Sequence, residues 1–118
     1  MMTEELKNRL ISFYQECEKF YGVKIEISEA ISTNTLNFDR HFTTFSNTEI
    51  ILNRFGWRIS GGRIMFEGEK LNYEIAVDRI TNFTELEQDT FEFIEKYCET
   101  VFRKTTIKIC TNTTAELR

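Results

Sequence analysis

Proline is absent from this chain of 118 residues, and glycine and cysteine are rare, with five and three residues. No apolar run approaches the ~18 residues that a membrane helix needs. Met1 leads directly into a charged segment, which is unlike a signal peptide. We therefore expect a cytoplasmic protein that does not insert into a membrane.

The chain also lacks the motifs of common catalytic and cofactor sites. Its three cysteines and single histidine, Cys17, Cys98, Cys110 and His41, have no zinc-ligand spacing, and no glycine-rich phosphate motif is present. Free thiols in a reducing compartment are the simpler interpretation of the cysteines. We predict no catalytic residue, no metal and no cofactor, so enzymatic activity is not favoured.

What is present is a substantial apolar fraction of 41%, including 11 phenylalanines. Such a chain can bury a core, which excludes global disorder. Its length predicts a single domain over residues 1–118, with residues 112–118 as a frayed tail. Residues with AT-rich codons, such as Phe, Ile and Asn, greatly outnumber glycine and proline. This bias indicates a low-GC bacterium, or a phage or mobile element in one.

Apolar residues recur every three or four positions near the amino terminus, which predicts an amphipathic helix over residues 3–21. Thr3 can cap its first turn, and Gly22 can end it. Strict alternation then predicts a strand over residues 23–28. The helix face expected to be buried consists of Leu6, Leu10, Phe13, Cys17 and Phe20.

The following segment is harder to interpret. Residues 32–45 have no regular period, and we expect an irregular segment anchored by its phenylalanines at positions 38, 42 and 45. Ser46 and Glu49 have the spacing of a capping box, which predicts a short helix over residues 47–55. A strand through Glu49–Asn53 is the alternative.

Gly61-Gly62 separates two strand-like runs and predicts a two-residue hairpin. The expected partners are Trp57 with Phe66, Arg58 with Met65, Ile59 with Ile64, and Ser60 with Arg63. One face would then hold Trp57, Ile59, Ile64 and Phe66, and the other Arg58, Ser60, Arg63 and Met65. A third strand with alternating Leu71, Tyr73, Ile75 and Val77 would complete a meander over residues 57–78.

A second capping box, Thr84 with Glu87, precedes two apolar stripes and predicts a long helix over residues 84–103. Residues 105–111 alternate and predict a last strand. The expected fold class is α+β. It has a four- to five-stranded, mostly antiparallel sheet with two main helices, 3–21 and 84–103, packed on one face.

The net charge of −4 is unevenly distributed. Residues 38–63 contain four arginines and two acidic residues, whereas residues 84–104 contain six acidic and three basic residues. The hairpin would place Arg58 and Arg63 on one exposed face. Arginine and tryptophan dominate protein interfaces, and guanidinium groups suit phosphates and carboxylates. The predicted partner- or anion-binding site therefore comprises Arg54, Trp57, Arg58 and Arg63.

Three functional hypotheses follow. The first is a protein-binding module, such as an inhibitor, an anti-defence protein or an immunity protein of a phage or mobile element. The second is a sensor or enzyme that binds a small anionic ligand through the arginines. The third is nucleic-acid binding, which the acidic net charge disfavours. A protein partner is expected, and edge strands would also allow a homodimer.

Overall fold

A computed structural model describes residues 3–33, 37–38, 42–58 and 62–110. In these residues the α-helix α1 (Glu4–Glu16) continues into a 3-10 helix (Cys17–Phe20). Eight strands follow within the same ranges. They are β1 (Lys24–Ser32), β2 (Thr43–Ile51), β3 (Arg54–Arg58), β4 (Arg63–Glu67), β5 (Asn72–Ala76), β6 (Ile80–Glu87), β7 (Thr90–Cys98) and β8 (Val101–Ile109). No helix of the described residues is long and apolar enough to cross a membrane.

The first helix confirms the amphipathic pattern. The hydroxyl of Thr3 accepts a hydrogen bond from the Leu6 N–H at 3.1 Å, which caps the first turn. Gly22 ends the helical segment with a φ of 88°, a conformation that glycine adopts without steric cost. All five residues of the expected apolar face are buried: Leu6, Leu10, Phe13, Cys17 and Phe20.

The strands form two antiparallel sheets. The large sheet has the order β2-β1-β8-β7-β6, and the small sheet has the order β3-β4-β5. The chain passes from the large to the small sheet at Leu52 and Asn53, where Leu52 bonds to Val23, just before β1, and Asn53 bonds to Glu67 of β4. It returns through the 3-10 helix Val77–Arg79. The two sheets are therefore joined at two corners.

The core lies between the sheets and α1, and Phe13 is at its centre. The Phe13 ring lies within 4.7–6.3 Å of five other rings, which come from both sheets. These rings belong to Phe55, Phe66, Phe83, Phe91 and Phe93. Aromatic edge-to-face contacts of this kind add to the stabilisation from burial, so one helical residue ties the two sheets together.

The predicted α+β arrangement with two helices on one sheet is wrong, because residues 84–103 are not helical. They form the second half of β6, all of β7 and the start of β8, connected by a turn at Gln88 and Asp89 and another at Glu99 and Thr100. Asp89 has a φ of 63°, which fits a tight hairpin turn. The Thr84–Glu87 spacing does not cap a helix, since both residues lie in β6.

The short helix over residues 47–55 is also wrong. β2 covers its first half and β3 begins at Arg54, so the alternative strand through Glu49–Asn53 is nearer to the structure. Ser46 does not cap a helix. Its hydroxyl donates instead to the Glu29 carboxylate on β1 at 3.1 Å. The predicted strand over residues 23–28 is present but extends further, to Ser32.

The meander of three strands is confirmed, but the hairpin register is shifted by two residues. Trp57 lies opposite Ile64, and Arg58 lies opposite Arg63. A shift of two keeps every side chain on its expected face, because side chains alternate along a strand. The observed register aligns Phe55 with Phe66, whose rings are 4.8 Å apart in the core.

Some predictions concern residues outside the described ranges. These are the Gly61 half of the glycine turn, the pairs of Ile59 and Ser60, His41, and the tail over residues 112–118. Of the last strand, predicted over residues 105–111, residues 105–109 form the end of the longer β8.

Candidate binding surfaces

The outer face of the small sheet carries the predicted arginines, and we call it the arginine face. Its rows across β3, β4 and β5 follow from the strand registers. They are Arg54–Glu67–Asn72, Gly56–Met65–Glu74 and Arg58–Arg63–Ala76. Met65 is buried beside Gly56, where an added Cβ would lie 3.2 Å from the Met65 Cε. The glycine therefore leaves room for an apolar centre within a charged face.

Trp57 does not belong to this face. It lies on the opposite side of β3, partly buried against the core, with its ring centroid 5.7 Å from that of Tyr14. The structure thus brings Arg54, Arg58 and Arg63 together but separates Trp57 from them by the thickness of the sheet.

The arginines differ in their electrostatic surroundings. Arg54 Nη2 lies 3.0 Å from Glu67 Oε2, and this hydrogen bond raises the pKa of the Arg54 guanidinium. Arg63 Nη1 lies 3.9 Å from Glu74 Oε1. Arg58 makes no ion pair among the described residues, although it lies directly opposite Arg63. Two like charges at opposed positions destabilise a strand pair, so Arg58 and Arg63 together can accommodate a further carboxylate.

A second cluster of charges lies between the two sheets, and we call it the Arg103 network. Arg103 on β8 donates from Nε to Glu95 Oε1 at 2.7 Å and from Nη1 to Glu29 Oε2 at 3.0 Å. Glu95 is fully buried, with 0% of its surface exposed. Tyr97 donates to Glu95 at 2.7 Å, and Tyr73 lies with its ring 5.0 Å from the Arg103 guanidinium carbon.

Burial and pairing shift the titration of these groups. Burial raises the pKa of Tyr73 to about 12, and burial together with the hydrogen bond to Glu95 raises the pKa of Tyr97 to about 12. Burial alone would lower the pKa of Arg103, but the hydrogen bond to Glu95 and the electrostatic attraction of Glu95 and the two tyrosines together outweigh it, so the Arg103 pKa is raised. The network is therefore a fixed set of charges with satisfied hydrogen bonds.

The Arg103 network also completes the free edge of β5. The Ala76 N–H donates to Glu95 Oε2 at 2.8 Å, and the Glu74 carbonyl accepts from Arg103 Nη2 at 2.6 Å. A carboxylate and a guanidinium thus take the place of a neighbouring strand. Since buried backbone groups need partners, we interpret this network as structural.

A groove of about 650 Å³ lies between α1 and the β6–β7 hairpin. Phe13, Phe20, Phe83 and Phe91 are among its lining residues. The two basic side chains of its rim lie over these rings, with Arg9 5.7 Å from the Phe83 centroid and Lys19 5.3 Å from the Phe20 centroid. Acidic residues outnumber them on the rim, so the groove is a poor site for an anion.

The cysteines show no sign of a shared site. Burial raises the pKa of the Cys17 thiol to about 12, whereas hydrogen bonds from Thr100 lower the pKa of the exposed Cys98 thiol. In the described part of the chain, no group of three His, Cys, Asp or Glu side chains is placed to hold a metal ion.

The sequence prediction missed every member of the Arg103 network. A signal was present, because Glu29 continues the inward positions of Ile25 and Ile27, and Glu95 continues those of Phe91 and Phe93. A charged residue in the apolar phase of a strand needs a buried partner.

Comparisons with protein-family models, with curated proteins and with solved structures find no match to this chain. A functional proposal therefore depends on the surfaces described above.

Proposed function

We propose that this protein is a protein-binding module that acts by stoichiometric association, with the arginine face as its contact surface. The observation that carries the proposal is the exposed pair of opposed arginines, Arg58 and Arg63. A partner that presents an aspartate or glutamate there would relieve the repulsion between the two guanidinium groups. Charge-assisted, bidentate hydrogen bonds would then fix its position.

The surroundings of the pair support a protein partner over a small anion. Arg54 and Arg63 already have carboxylate neighbours, and these acids would repel a phosphate group. A mixed-charge face around the apolar Met65 is closer to the polar rim and apolar centre of a protein interface. Three arginines against two glutamates are also a weak match to duplex DNA, with its charge every ~1.7 Å.

The AT-rich codon bias adds the biological setting of this proposal. In a low-GC bacterium, or in its phages and plasmids, a small binding protein without catalytic motifs suits the role of an inhibitor, an anti-defence protein or an immunity protein. Each of these acts by occupying a partner's surface.

Capture from the lysate of a low-GC bacterium tests the proposal with two matched variants. The variant Arg58→Glu/Arg63→Glu reverses the arginine pair. The control Lys7→Glu/Lys70→Glu makes the same change in net charge at exposed positions outside the face. We expect the wild type and the control to retain one partner at equal stoichiometry, and the arginine variant to lose it.

Two outcomes would contradict this proposal. One is capture that is equally strong with the arginine variant. The other is stabilisation of the protein by inorganic phosphate or nucleotides in a thermal-shift assay that the arginine variant abolishes, which would favour the small-anion hypothesis instead.

A further inference from the structure

Within the described residues, three of the four outer strand edges have a protective feature. The β3 edge bonds to the Tyr21 hydroxyl, which accepts from the Phe55 N–H at 3.0 Å and donates to its carbonyl at 3.3 Å. The β5 edge bonds to the Arg103 network. β6 has two register irregularities, carries Glu85 and Glu87, and lies against α1. Bulges, charges and covering elements are the usual means of preventing strands from associating.

The β2 edge has no bulge in the described residues and carries a single charge, and the turn of Glu69, Lys70 and Leu71 adjoins it at its last three residues. Its ladder with β1 runs without a register shift from Lys24 opposite Ile51 to Ser32 opposite Thr43. Its one charged residue, Glu49, lies near Lys24 of the neighbouring strand, with Lys24 Nζ 4.0 Å from Glu49 Oε2. A long, regular and nearly uncharged edge is a ready template for another strand.

The backbone of β2 is also in the right phase to pair. The Thr33 N–H donates to the Phe42 carbonyl, and the Leu52 N–H donates to the Val23 carbonyl, both at 3.0 Å. Both pairs continue the β1–β2 register, so the even-numbered residues of β2 exchange hydrogen bonds with β1. The N–H and C=O groups of the odd-numbered residues over 45–51 therefore point away from β1.

The side chains of the same odd-numbered residues are exposed on the outer face of the large sheet. Phe45 is 61% exposed and Ile51 is 51% exposed, so this strand presents two large apolar side chains to solvent. Asn47 lies between them and is exposed as well. The edge therefore offers two apolar side chains separated by polar ones.

We propose that β2 pairs antiparallel with β2 of a second copy of this chain, across a two-fold axis at Thr48. In this register Phe45 lies opposite Ile51 of the second copy, and Ile51 lies opposite its Phe45. Asn47 lies opposite Glu49, where the amide can donate to the carboxylate. The two large sheets then form one continuous ten-stranded sheet, and both copies contribute the same surface, as a two-fold axis requires.

The edge is complementary to itself in this register, so we take its occupant to be a second copy. Neighbouring registers fit less well, which is why the axis lies at Thr48. An axis at Asn47 would place Phe45 opposite Glu49, and an axis at Glu49 would place the two carboxylates opposite each other. Like charges at opposed positions destabilise a strand pair, whereas an aromatic side chain opposite a β-branched one stabilises it.

The proposal is tested first by sedimentation velocity of the full chain from ~1 to ~500 μM, since one strand pair is a small interface and small interfaces bind weakly. We expect a reversible dimer in the wild type and at least ~10-fold weaker dimerisation in Phe45→Lys, because lysine protects natural edges. Leu86→Lys is the matched control: Leu86 is also 51% exposed but lies on β6. We expect its dimerisation to equal that of the wild type.

Disulfide trapping tests the register. In a background with Cys98→Ser and Cys110→Ser, Thr48→Cys places two cysteines at a non-hydrogen-bonded pair, whose Cα atoms are ~4.5 Å apart. This distance permits a disulfide between copies. Asn47→Cys is the control, because the two residues at position 47 would lie diagonally across the strand pair, ~7–8 Å apart. We expect covalent dimers with Thr48→Cys and few with Asn47→Cys.

Three results would overturn the proposal. The first is a wild type that stays monomeric over the whole concentration range, including the case in which it binds an extended peptide of another protein. The second is equal dimerisation of Phe45→Lys and Leu86→Lys variants that both keep the wild-type circular dichroism spectrum. The third is faster crosslinking of Asn47→Cys than of Thr48→Cys. The β2 edge and the arginine pair lie in different sheets, so this proposal and the proposed function can fail separately.

Discussion

The two sheets differ in how their outer strands are completed. In the small sheet, a tyrosine hydroxyl satisfies the edge of β3, and a buried carboxylate and guanidinium satisfy the edge of β5. In the large sheet, β6 is irregular and lies against α1, whereas β2 exposes a regular edge with Phe45 and Ile51. The small sheet is thus closed by side chains, and the large sheet is left open on one side.

Charged side chains thus have two different roles in this molecule, one inside it and one on its surface. The Arg103 network sits inside the molecule, where its hydrogen bonds replace those of a missing strand. The arginine face sits outside, where its charges remain available to a partner. Residues of the same chemical type are therefore structural in one place and candidates for binding in the other, and burial decides between the two roles.

The largest expected effect comes from breaking the closure of β5. Arg103→Met leaves Glu95 buried without its partner, so we expect the free energy of unfolding to fall by about 3–5 kcal/mol. Urea denaturation followed by circular dichroism measures the loss. The double variant Arg103→Met/Glu95→Gln should recover part of it, because no charge is left buried. A single variant as stable as the wild type would contradict a structural role for the network.

Breaking the closure of β3 should cost less. Tyr21→Phe removes one hydroxyl and leaves the Phe55 N–H and carbonyl without their partner, for an expected loss of about 1–3 kcal/mol. The same denaturation experiment applies. Tyr14→Phe is a suitable control, since its hydroxyl makes no hydrogen bond in the described residues, and it should leave the stability unchanged.

Alkaline pH should weaken the Arg103 network, which completes the edge of β5, without a mutation. The folded-state pKa of Tyr73 and of Tyr97 is raised to about 12, compared with about 10 in an unfolded chain. Folding therefore favours their protonated forms. This contribution is fully present below pH ~10 and is lost as the pH rises through ~12. Melting temperatures from pH 9 to 12 should fall more gently in Tyr73→Phe/Tyr97→Phe than in the wild type, and identical slopes would refute this origin.

The smallest effect is expected on the exposed arginine face. Arg54→Ala removes an ion pair whose arginine is largely in solvent, and such pairs contribute little to stability. We expect a melting temperature equal to that of the wild type within error. A clear decrease would mean that the outer face, like the inner network, is structural, and it would weaken the contrast between the two sites.

The sequence predicts the helix well because its five apolar positions, from Leu6 to Phe20, keep one period without interruption. It fails over residues 84–103 for a physical reason. The alternation of Phe91 and Phe93 is broken at Glu95, which points inward to meet Arg103. The predicted first strand ended too early for the same reason: the next inward position after Ile27 holds the charged residue Glu29.

The candidate site could be predicted only in part. Alternation on β3 and β4 places Arg58 and Arg63 on the same outer face in both the predicted and the observed register. The sequence did not give the observed register, which places Arg58 opposite Arg63 and Arg54 opposite Glu67. The carboxylate beside Arg63 belongs to Glu74 on the third strand of the meander. The Arg103 network joins β1, β5, β7 and β8, and such a long-range convergence is not encoded in any local pattern.

The pairing of β1 with β8 has a consequence for how the chain folds. Five of the six ladders in the described residues join strands that are consecutive in the chain, and each of those can form as a local hairpin. The sixth places Ile25 opposite Ile109 and so joins the first strand to the last. Its loop-closure entropy is the largest, and contacts of high sequence separation slow folding. We therefore expect the β1–β8 ladder to form last. The helix and the two meanders would form first and shorten the flexible chain between β1 and β8.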